Sequence, residues 1–245
     1  MGRRILVQRR GRGNQNFRSP KHKKIGKVKH PKIDLEADEP VEAELVDFLH
    51  EGGRGTPIGL MKFGKGDFRL WLPPEGVFIG EKFTFGKKTE IEVGNTMQLG
   101  NVPEGMLVYN IESEPGDGGK IARSPGAFAI VVERTKKGVN VRLPSAKRKL
   151  MNPRCLATLG VVSGGGVASK PFLKAGHKYY YMKTKASNWP RVTCATMNAT
   201  SHPHGGGAKR TPGRSTTVGR HAPPGRKVGM IAARQSGRKR SKKNK

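Results

Sequence analysis

The sequence predicts a mainly β protein in which two small β segments are flanked by long, irregular, basic N- and C-terminal extensions. Short stretches of alternating apolar and polar residues recur at roughly ten-residue spacing between turn signals, as in small barrels or sandwiches. The 34 glycines, 17 prolines and 34% hydrophobic content among 245 residues argue against one large core. All 18 acidic residues lie between Asp34 and Glu133, so a mildly acidic middle separates two cationic ends.

The N-terminal arm, residues 1–36, is basic and interrupted by turn formers. Twelve Lys and Arg and no acid occur in residues 1–32. Glycine and proline disfavour a long helix here, the first through chain entropy and the second through the missing backbone donor. The arm is either a solvated tail or, in the interpretation we favour, a segment that becomes ordered on a polyanion by exchanging chain entropy for phosphate contacts.

The first β segment, residues 37–113, contains six strand signals. Alternation over 41–45 predicts a half-buried strand, and the runs at 58–63 and 68–72 predict two more, joined by a Gly-Lys-Gly-Asp hairpin turn. Further strands are predicted at 82–85, 89–93 and 106–111. The absence of a helical period favours a small barrel or sandwich.

The second β segment, residues 114–180, opens with a Pro-Gly-Asp-Gly-Gly turn cluster. Strands are predicted at 127–133, 138–143 and 156–162, with a Lys-Lys-Gly hairpin turn between the first two. The cations at 147–149 follow a strand directly, so we expect them to crown one end of a barrel. The only helical signal is a short one around residues 145–150.

The C-terminal segment, residues 181–245, has no sustained period and few large aliphatic residues, so we expect it to extend along a partner. Residues 134–245 carry 27 Lys and Arg without a single carboxylate. Self-repulsion opposes compaction of such a stretch, and a polyanion would supply the missing charge. Phosphate backbones are the commonest cellular polyanion, so the composition points to nucleic acid.

Other classes fit less well. A membrane-surface protein would need an amphipathic basic helix, whereas these basic stretches are broken by Gly and Pro. We find no secretory signal and no apolar run approaching a bilayer span. Cys155 and Cys194 form no disulfide framework, which suits a reducing cytosol.

The segment 201–207, Ser-His-Pro-His-Gly-Gly-Gly, allows three interpretations. An esterase oxyanion loop would need a Gly-x-Ser-x-Gly elbow and a carboxylate, and this half of the chain has neither. A metal could bind His202 and His204 together with Cys194 or His221, although zinc sites usually show tighter paired spacing. The third interpretation, which we favour, is a glycine backbone that approaches phosphate or base closely while the imidazoles stack or hydrogen-bond.

Aromatic residues beside cations occur just before this loop. Trp189, followed by Pro190 and Arg191, is a candidate for stacking on unpaired bases. The Tyr179-Tyr180-Tyr181 run shares this possibility, but tyrosines at strand spacing more often belong to a core.

Ten short motifs, taken in order, resemble one family. The chain has Gly-Gly-Arg-Gly-Thr-Pro at 52–57, Pro-Glu-Gly at 103–105, Glu-Pro-Gly-Asp-Gly-Gly-Lys at 114–120, Arg-Leu-Pro-Ser at 142–145, Gly-Val-Val-Ser-Gly-Gly-Gly at 160–166, Lys-Pro at 170–171 with Leu-Lys-Ala-Gly at 173–176, Trp-Pro-Arg-Val at 189–192, Met-Asn at 197–198, His-Pro-His-Gly-Gly-Gly at 202–207 and Ala-Pro-Pro-Gly-Arg-Lys-Val-Gly at 222–229. Together they resemble the universal large-subunit ribosomal protein family called "L two", in its archaeal and eukaryotic-cytosolic form. The compact length is more typical of the archaeal members.

The resemblance implies an OB-fold barrel followed by an SH3-like barrel, both on large-subunit rRNA, with termini that enter the RNA near the peptidyl-transferase region. It also implies contacts with other ribosomal proteins and, at the subunit interface, with the small subunit, in the cytoplasmic ribosome. It implies no enzyme activity, no cofactor and no metal. His202 corresponds to a loop histidine once discussed for peptidyl transfer, but no carboxylate is available to orient it, so we assign it to RNA support.

The residues expected to bind RNA share a positive charge, a ring able to stack, or a backbone free of side chains. They are Arg3, Arg4, Arg9, Arg10, Arg12, Lys21, Lys23, Lys24, Arg54, Lys147, Arg148, Lys149, Trp189, Arg191, His202, His204, Gly205, Gly206, Gly207, Lys209, Arg210, Arg226, Lys227, Arg238, Lys239 and Arg240. Two other functions remain open at this point: a free RNA- or DNA-binding chaperone or regulator, and a hydrolase that uses the His-Gly-Gly-Gly loop.

Overall fold

The computed structural model describes residues 4–31, 39–64 and 66–234. The chain forms two compact units. One consists of residues 20–177, here called the β unit, and the other of residues 1–19 together with 178–245, here called the basic unit.

The β unit contains one ten-stranded sheet. Its strands are β1 Val41–Leu49, β2 Ile58–Phe63, β3 Asp67–Trp71, β4 Lys82–Phe85, β5 Thr96–Gln98, β6 Leu107–Tyr109, β7 Ala129–Thr135, β8 Gly138–Arg142, β9 Arg148–Met151 and β10 Leu156–Leu159. Their order is β3-β2-β1-β4-β5-β10-β6-β7-β8-β9, antiparallel except between β4 and β5.

The prediction of a mainly β protein is confirmed. Helical structure is limited to α1 Leu6–Gly11, α2 Ala175–Thr184 and a few short 3-10 turns among the described residues, and none of these helices is long and apolar enough to cross a membrane. In the described part of the chain β3 and β9 remain the two ends of the sheet, so the pairing does not close into a barrel.

Three clusters of buried apolar side chains lie in the β unit, and the third, which includes Ile58 of β2 and Tyr109 of β6, contains residues from both halves of the sheet. The first is aromatic and packs side chains of β1 to β4, with the rings of Trp71 and Phe83 4.9 Å apart. The second is aliphatic and packs residues of β5 to β10, including Val108, Val131 and Leu159. Alternation explains the strands: in β1, Ala43 and Leu45 point inward while their charged neighbours stay exposed.

A buried carboxylate organises the turn after β6. Glu112 is 1% exposed, and its two oxygens accept the backbone N–H groups of Gly116, Gly118 and Leu156 at 2.9–3.1 Å. Asp117 in the same turn accepts the N–H groups of Ser113 and Gly119 at 3.1 Å. These carboxylates therefore replace the backbone partners that a tight glycine turn cannot supply.

Several sequence predictions are correct to within a residue or two, and others are wrong. The strands at 58–63 and 82–85 agree with β2 and β4. The strand predicted at 89–93 is absent: Ile91 and Val93 are exposed, and β5 begins only at Thr96, after Gly94 at φ +98°.

One helix prediction and one strand interpretation also need correction. The short helix expected around residues 145–150 is wrong, because this stretch turns at Ala146 and pairs with β8 as β9. Conversely, the tyrosine run 179–181 lies in α2, where no residue is buried, instead of at strand spacing in a core. A helix with neither an apolar face nor a cap sequence gives no periodic signal to find.

Candidate nucleic-acid interface

The basic unit is uniformly cationic. It contains 23 of the 48 Lys and Arg, six in residues 1–19 and seventeen in residues 178–245, and none of the acids. The β unit holds the other 25, together with all 18 acids, for a net charge of +7. The apolar core of the basic unit is small. Among the described residues of this unit, the buried apolar side chains are Ile5, Ala195 and Val228.

Backbone hydrogen bonds fold the segment around residue 200 into a compact double turn. The N–H of Ser201 donates to the carbonyl of Asn198 at 2.9 Å, and the N–H of Gly206 donates to that of Met197 at 2.9 Å. A Cβ at Gly205 would lie 2.5 Å from the carbonyl oxygens of Met197 and Asn198, so only glycine fits there. Gly206 and Gly207 have φ of +79° and +100° and are exposed.

The two loop histidines differ in environment. His204 is 5% exposed, while His202 is half-buried and accepts the backbone N–H of His204 on its Nδ1 at 3.0 Å. Burial, and then the nearby His204, lower the pKa of His202. The imidazole of His202 is therefore neutral at neutral pH and acts as a hydrogen-bonding group, not as a cation.

A cationic cavity of about 590 Å³ lies beside the loop. Its wall includes His204 and Arg226, which were predicted to bind RNA, and Arg214 and Arg220, which were not. His221, considered in the sequence only as a metal ligand, also lines it. The short parallel strands β11, Thr217–Val218, and β12, Met230–Ile231, bring these distant cations together. In the sequence, Arg214 and Arg220 stand among Gly, Ser and Thr, and only the overall positive charge of the segment pointed to RNA binding.

Trp189 already has a cationic neighbour. The Nζ of Lys178 lies 5.3 Å from the centre of its ring, and Tyr181 is similarly approached by Lys185. Trp189 is half-buried and Arg191 is exposed. The cationic neighbour and the partial exposure of the ring are compatible with the predicted stacking on a base.

The predicted cations of the N-terminal arm are mostly exposed. Arg4, Arg9 and Arg12 are exposed, and Arg10 stacks its guanidinium on Phe17 at 5.9 Å from the ring centre. Exposed cations also continue along the arm in a short 3-10 turn and the residue after it, at Lys21, Lys23 and Lys24.

The predicted cations of the sheet fall into two kinds. Lys147, Arg148 and Lys149 do not crown one end of a barrel as expected, because they lie at and beside the edge strand β9 of an open sheet, where they are exposed. Arg54 instead pairs with the buried Glu51 at 3.1 Å, so its charge is largely compensated within the fold. Glu51 and Arg54 are three residues apart, a spacing from which this ion pair could have been predicted.

The remaining predicted residues are scattered. Lys209 and Arg210 are exposed beyond the glycine loop, and Lys227 is half-buried. Arg3, Arg238, Lys239 and Arg240 lie outside the described residues.

A carboxylate-free unit with exposed cations, a glycine loop and an arginine-lined cavity is typical of proteins that bind a nucleic-acid backbone. Comparison with known proteins then defines the family. The profile described as "Ribosomal Proteins L2, C-terminal domain" matches residues 92–225. A "Large ribosomal subunit protein uL2" from Korarchaeum cryptofilum is 50% identical over 238 residues, which cover 97% of this chain and 96% of that protein.

Other archaeal proteins of the same name are similar to this chain. That of Methanothermobacter thermautotrophicus is 46% identical over 98% of this chain and its own whole length, and that of Methanopyrus kandleri is 46% identical over 97% of this chain and 98% of its own. The chain therefore belongs to the uL2 family of large-ribosomal-subunit proteins and is of the archaeal type, as the resemblance predicted.

This family is structural and not enzymatic. The hydrolase alternative is accordingly set aside, and the chain itself agrees, since no carboxylate follows Glu133 that could orient His202.

Proposed function

We propose that this chain is a structural constituent of the large ribosomal subunit, where it binds large-subunit rRNA near the peptidyl-transferase region and supports subunit association and translation. Its partners are that rRNA, neighbouring ribosomal proteins and, at the subunit interface, the small subunit of the cytoplasmic ribosome. The relatives named as large-subunit proteins resemble it over 97–98% of its length, which supports this role.

The observation that carries the proposal is the charge of the basic unit. Twenty-three cations without a carboxylate repel one another, and the few buried apolar residues provide little to offset that repulsion. An RNA backbone provides dense negative charge and releases its counterions when it meets Lys and Arg. The basic unit is thus expected to gain most of its stability on rRNA.

The glycine loop and the arginine cavity give two kinds of RNA contact. Exposed Gly206 and Gly207 let phosphate or base approach the backbone without meeting a side chain. Arg214, Arg220 and Arg226 can each grip a phosphate with two parallel N–H groups. His202, neutral and hydrogen-bonded, supports the loop and takes no part in catalysis.

We further propose that the sheet divides into an OB-fold-like part and an SH3-like part, with residues 1–36 and 181–245 as RNA-binding arms. The aromatic cluster of β1 to β4 and the aliphatic cluster of β5 to β10 support such a division, and the third cluster, with Ile58 and Tyr109, packs the two parts against each other. Because β5 and β6 pack with β7 to β10, we place the boundary between β4 and β5 and not at residue 113.

The test follows the full-length tagged chain in cells that depend on it. Lysates are separated on sucrose gradients, and the chain is followed in the large-subunit fraction and in the free pool. Replacing the exposed Lys209, Arg210 and Arg226 by Gln is expected to reduce incorporation severalfold, while the matched Gln variant of the exposed Lys62, Lys82 and Lys88 in the β unit incorporates normally.

A wild-type chain that stays in the free pool would favour the chaperone or regulator alternative and overturn the ribosomal role. Equal incorporation of both triple variants would instead remove these three cations from the interface. Cross-linking of the wild-type chain to rRNA in intact subunits then tests the proposed position near the peptidyl-transferase region.

A further inference from the structure

Three metal-binding side chains meet beside the glycine loop. The ligand atoms of Cys194, His202 and His204 all lie within 4.8 Å of one another. The Sγ of Cys194 is 3.8 Å from the Nδ1 of His204, and the two imidazole rings are 5.2 Å apart between centres. His204 is buried and the other two are half-buried, so a small ion can reach the cluster while bulk water is partly excluded.

We propose that Cys194, His202 and His204 bind one Zn²⁺ ion. A thiolate and two imidazoles are ligands that zinc prefers, whereas magnesium and calcium prefer oxygen. With Zn–S of about 2.3 Å and Zn–N of about 2.0 Å, a tetrahedral site places sulfur and nitrogen about 3.6 Å apart. The observed separation of 3.8 Å between Cys194 and His204 is close to that value.

Small side-chain movements complete the site. Two nitrogen ligands of a tetrahedral zinc are about 3.3 Å apart, so the most distant pair in the cluster must close by about 1.5 Å at most. His202 has to give up the N–H of His204, because an imidazole that binds metal through one nitrogen carries its proton on the other. His202 is therefore the ligand whose loss should weaken binding least.

The backbone holds the ligands in place. Cys194 is the first residue of a 3-10 turn, Cys194–Thr196, and its carbonyl accepts the N–H of Met197 at 3.3 Å. The carbonyl of Met197 in turn accepts the N–H of Gly206 at 2.9 Å. Zinc would thus link two turns that are already adjacent, release the thiol proton to solvent and leave a fourth position for water. His221, the alternative partner of the loop histidines, lies outside this cluster.

The proposal concerns the free chain and does not depend on the ribosomal role. The first test titrates the full-length, reduced protein with Co²⁺, which takes zinc sites and reports on them spectroscopically. We expect a thiolate-to-cobalt charge-transfer band that saturates at one ion per chain and disappears when Zn²⁺ is added. Cys194→Ser should abolish the band, and His204→Ala should abolish it or shift saturation to much higher cobalt.

The matched control is His221→Ala, which removes a neighbouring histidine outside the cluster and should leave the titration unchanged. A band that survives in Cys194→Ser, or one that never forms in the wild type, would overturn the proposal.

A second test needs no variant. The reduced wild-type chain is treated with a thiol-alkylating reagent with and without Zn²⁺, and the modified peptides are identified by mass spectrometry. Zinc should slow alkylation of half-buried Cys194 and leave the buried Cys155 as it was, and a chelator should reverse the effect. Unchanged alkylation of Cys194 in saturating Zn²⁺ would contradict the site.

Discussion

The two compact units differ in how their polar groups find partners. In the β unit, carboxylates serve the fold: Glu112 binds three backbone N–H groups, and Glu51 pairs with Arg54. The basic unit has no carboxylate, and its buried polar residue among those described is His204. In the basic unit, glycine-containing turns provide backbone carbonyls as the hydrogen-bond acceptors instead.

The difference separates intrinsic from acquired stability. The β unit combines three apolar clusters with internal compensation of buried charge, so we expect it to fold without a partner. The basic unit has exposed cations around a minimal core, so we expect an external polyanion to supply the negative charge that its sequence lacks. Substitutions should accordingly act on unfolding in one unit and on RNA binding in the other.

The largest effect is expected for Glu112→Ala. It removes the acceptor of the buried N–H groups of Gly118 and Leu156, at about 1–3 kcal/mol each, and that of the exposed Gly116, so the β unit should lose about 2–6 kcal/mol of unfolding free energy. Urea unfolding followed by tryptophan fluorescence measures the loss. The exposed Glu114→Ala is the control, and equal stability of both variants would refute the role of Glu112.

A smaller, pH-dependent effect is expected for Asp117→Asn. Partial burial acts to raise the pKa of Asp117, but hydrogen bonds from Lys120 and from three backbone N–H groups outweigh it and lower the pKa to about 2. A lowered carboxylate pKa stabilises the fold above the ordinary value of 3.8, and this stability is lost as the pH falls towards 2.

The variant should therefore be about 2 kcal/mol less stable than the wild type at neutral pH and nearly equal to it near pH 2. Urea unfolding at a series of pH values gives both curves. A difference that persists undiminished at the acid end would show that Asp117 acts through shape and not through its charge.

Tyr109→Phe should cost about 1 kcal/mol of unfolding free energy. The hydroxyl of Tyr109 is wholly buried and donates to the carbonyl of Leu72 at 2.8 Å, and burial raises its pKa so that it stays protonated. The ring itself is retained in the variant, so packing is preserved. Thermal unfolding checks the change, and a neutral result would mean that water replaces the lost hydroxyl.

The smallest effect on stability is expected in the basic unit. Lys209→Gln should change unfolding by no more than about 0.5 kcal/mol but reduce the slope of log affinity against log salt by about 1 for an rRNA fragment. Filter binding across salt concentrations measures the slope. Lys88→Gln in the β unit is the control, and an equal slope change in both variants would remove the distinction between the units.

Sequence patterns predicted the β unit well where a strand is half-buried. β1 and β4 alternate, and β2 is an apolar run bounded by turn residues, so period and length were sufficient. The run at 89–93 has the same appearance but remains exposed, because the chain turns at Gly94 before it can pair. β9, Arg148–Met151, was missed because an edge strand can carry charges that disguise it.

The candidate interface was predictable in kind but not in arrangement. Charge segregation alone identified the cationic ends, and the His-Gly-Gly-Gly motif identified the loop. Arg214 and Arg220 were missed because their importance depends on β11 pairing with β12 across the intervening turn. Arg54 was predicted to bind RNA and is in fact paired with Glu51.

By itself the sequence determined the chemistry available to each region: where carboxylates occur, where glycine permits positive φ, and which runs can be strands. These properties belong to single residues or short periods, so they can be read without a fold. Only the tertiary structure decided that both chain ends form one unit, that Glu112 meets the backbone of Leu156, and that Cys194 lies against His204. These contacts join residues that are far apart in the sequence. Their distances depend on many turns and strand pairings at once, so a local sequence pattern does not predict them.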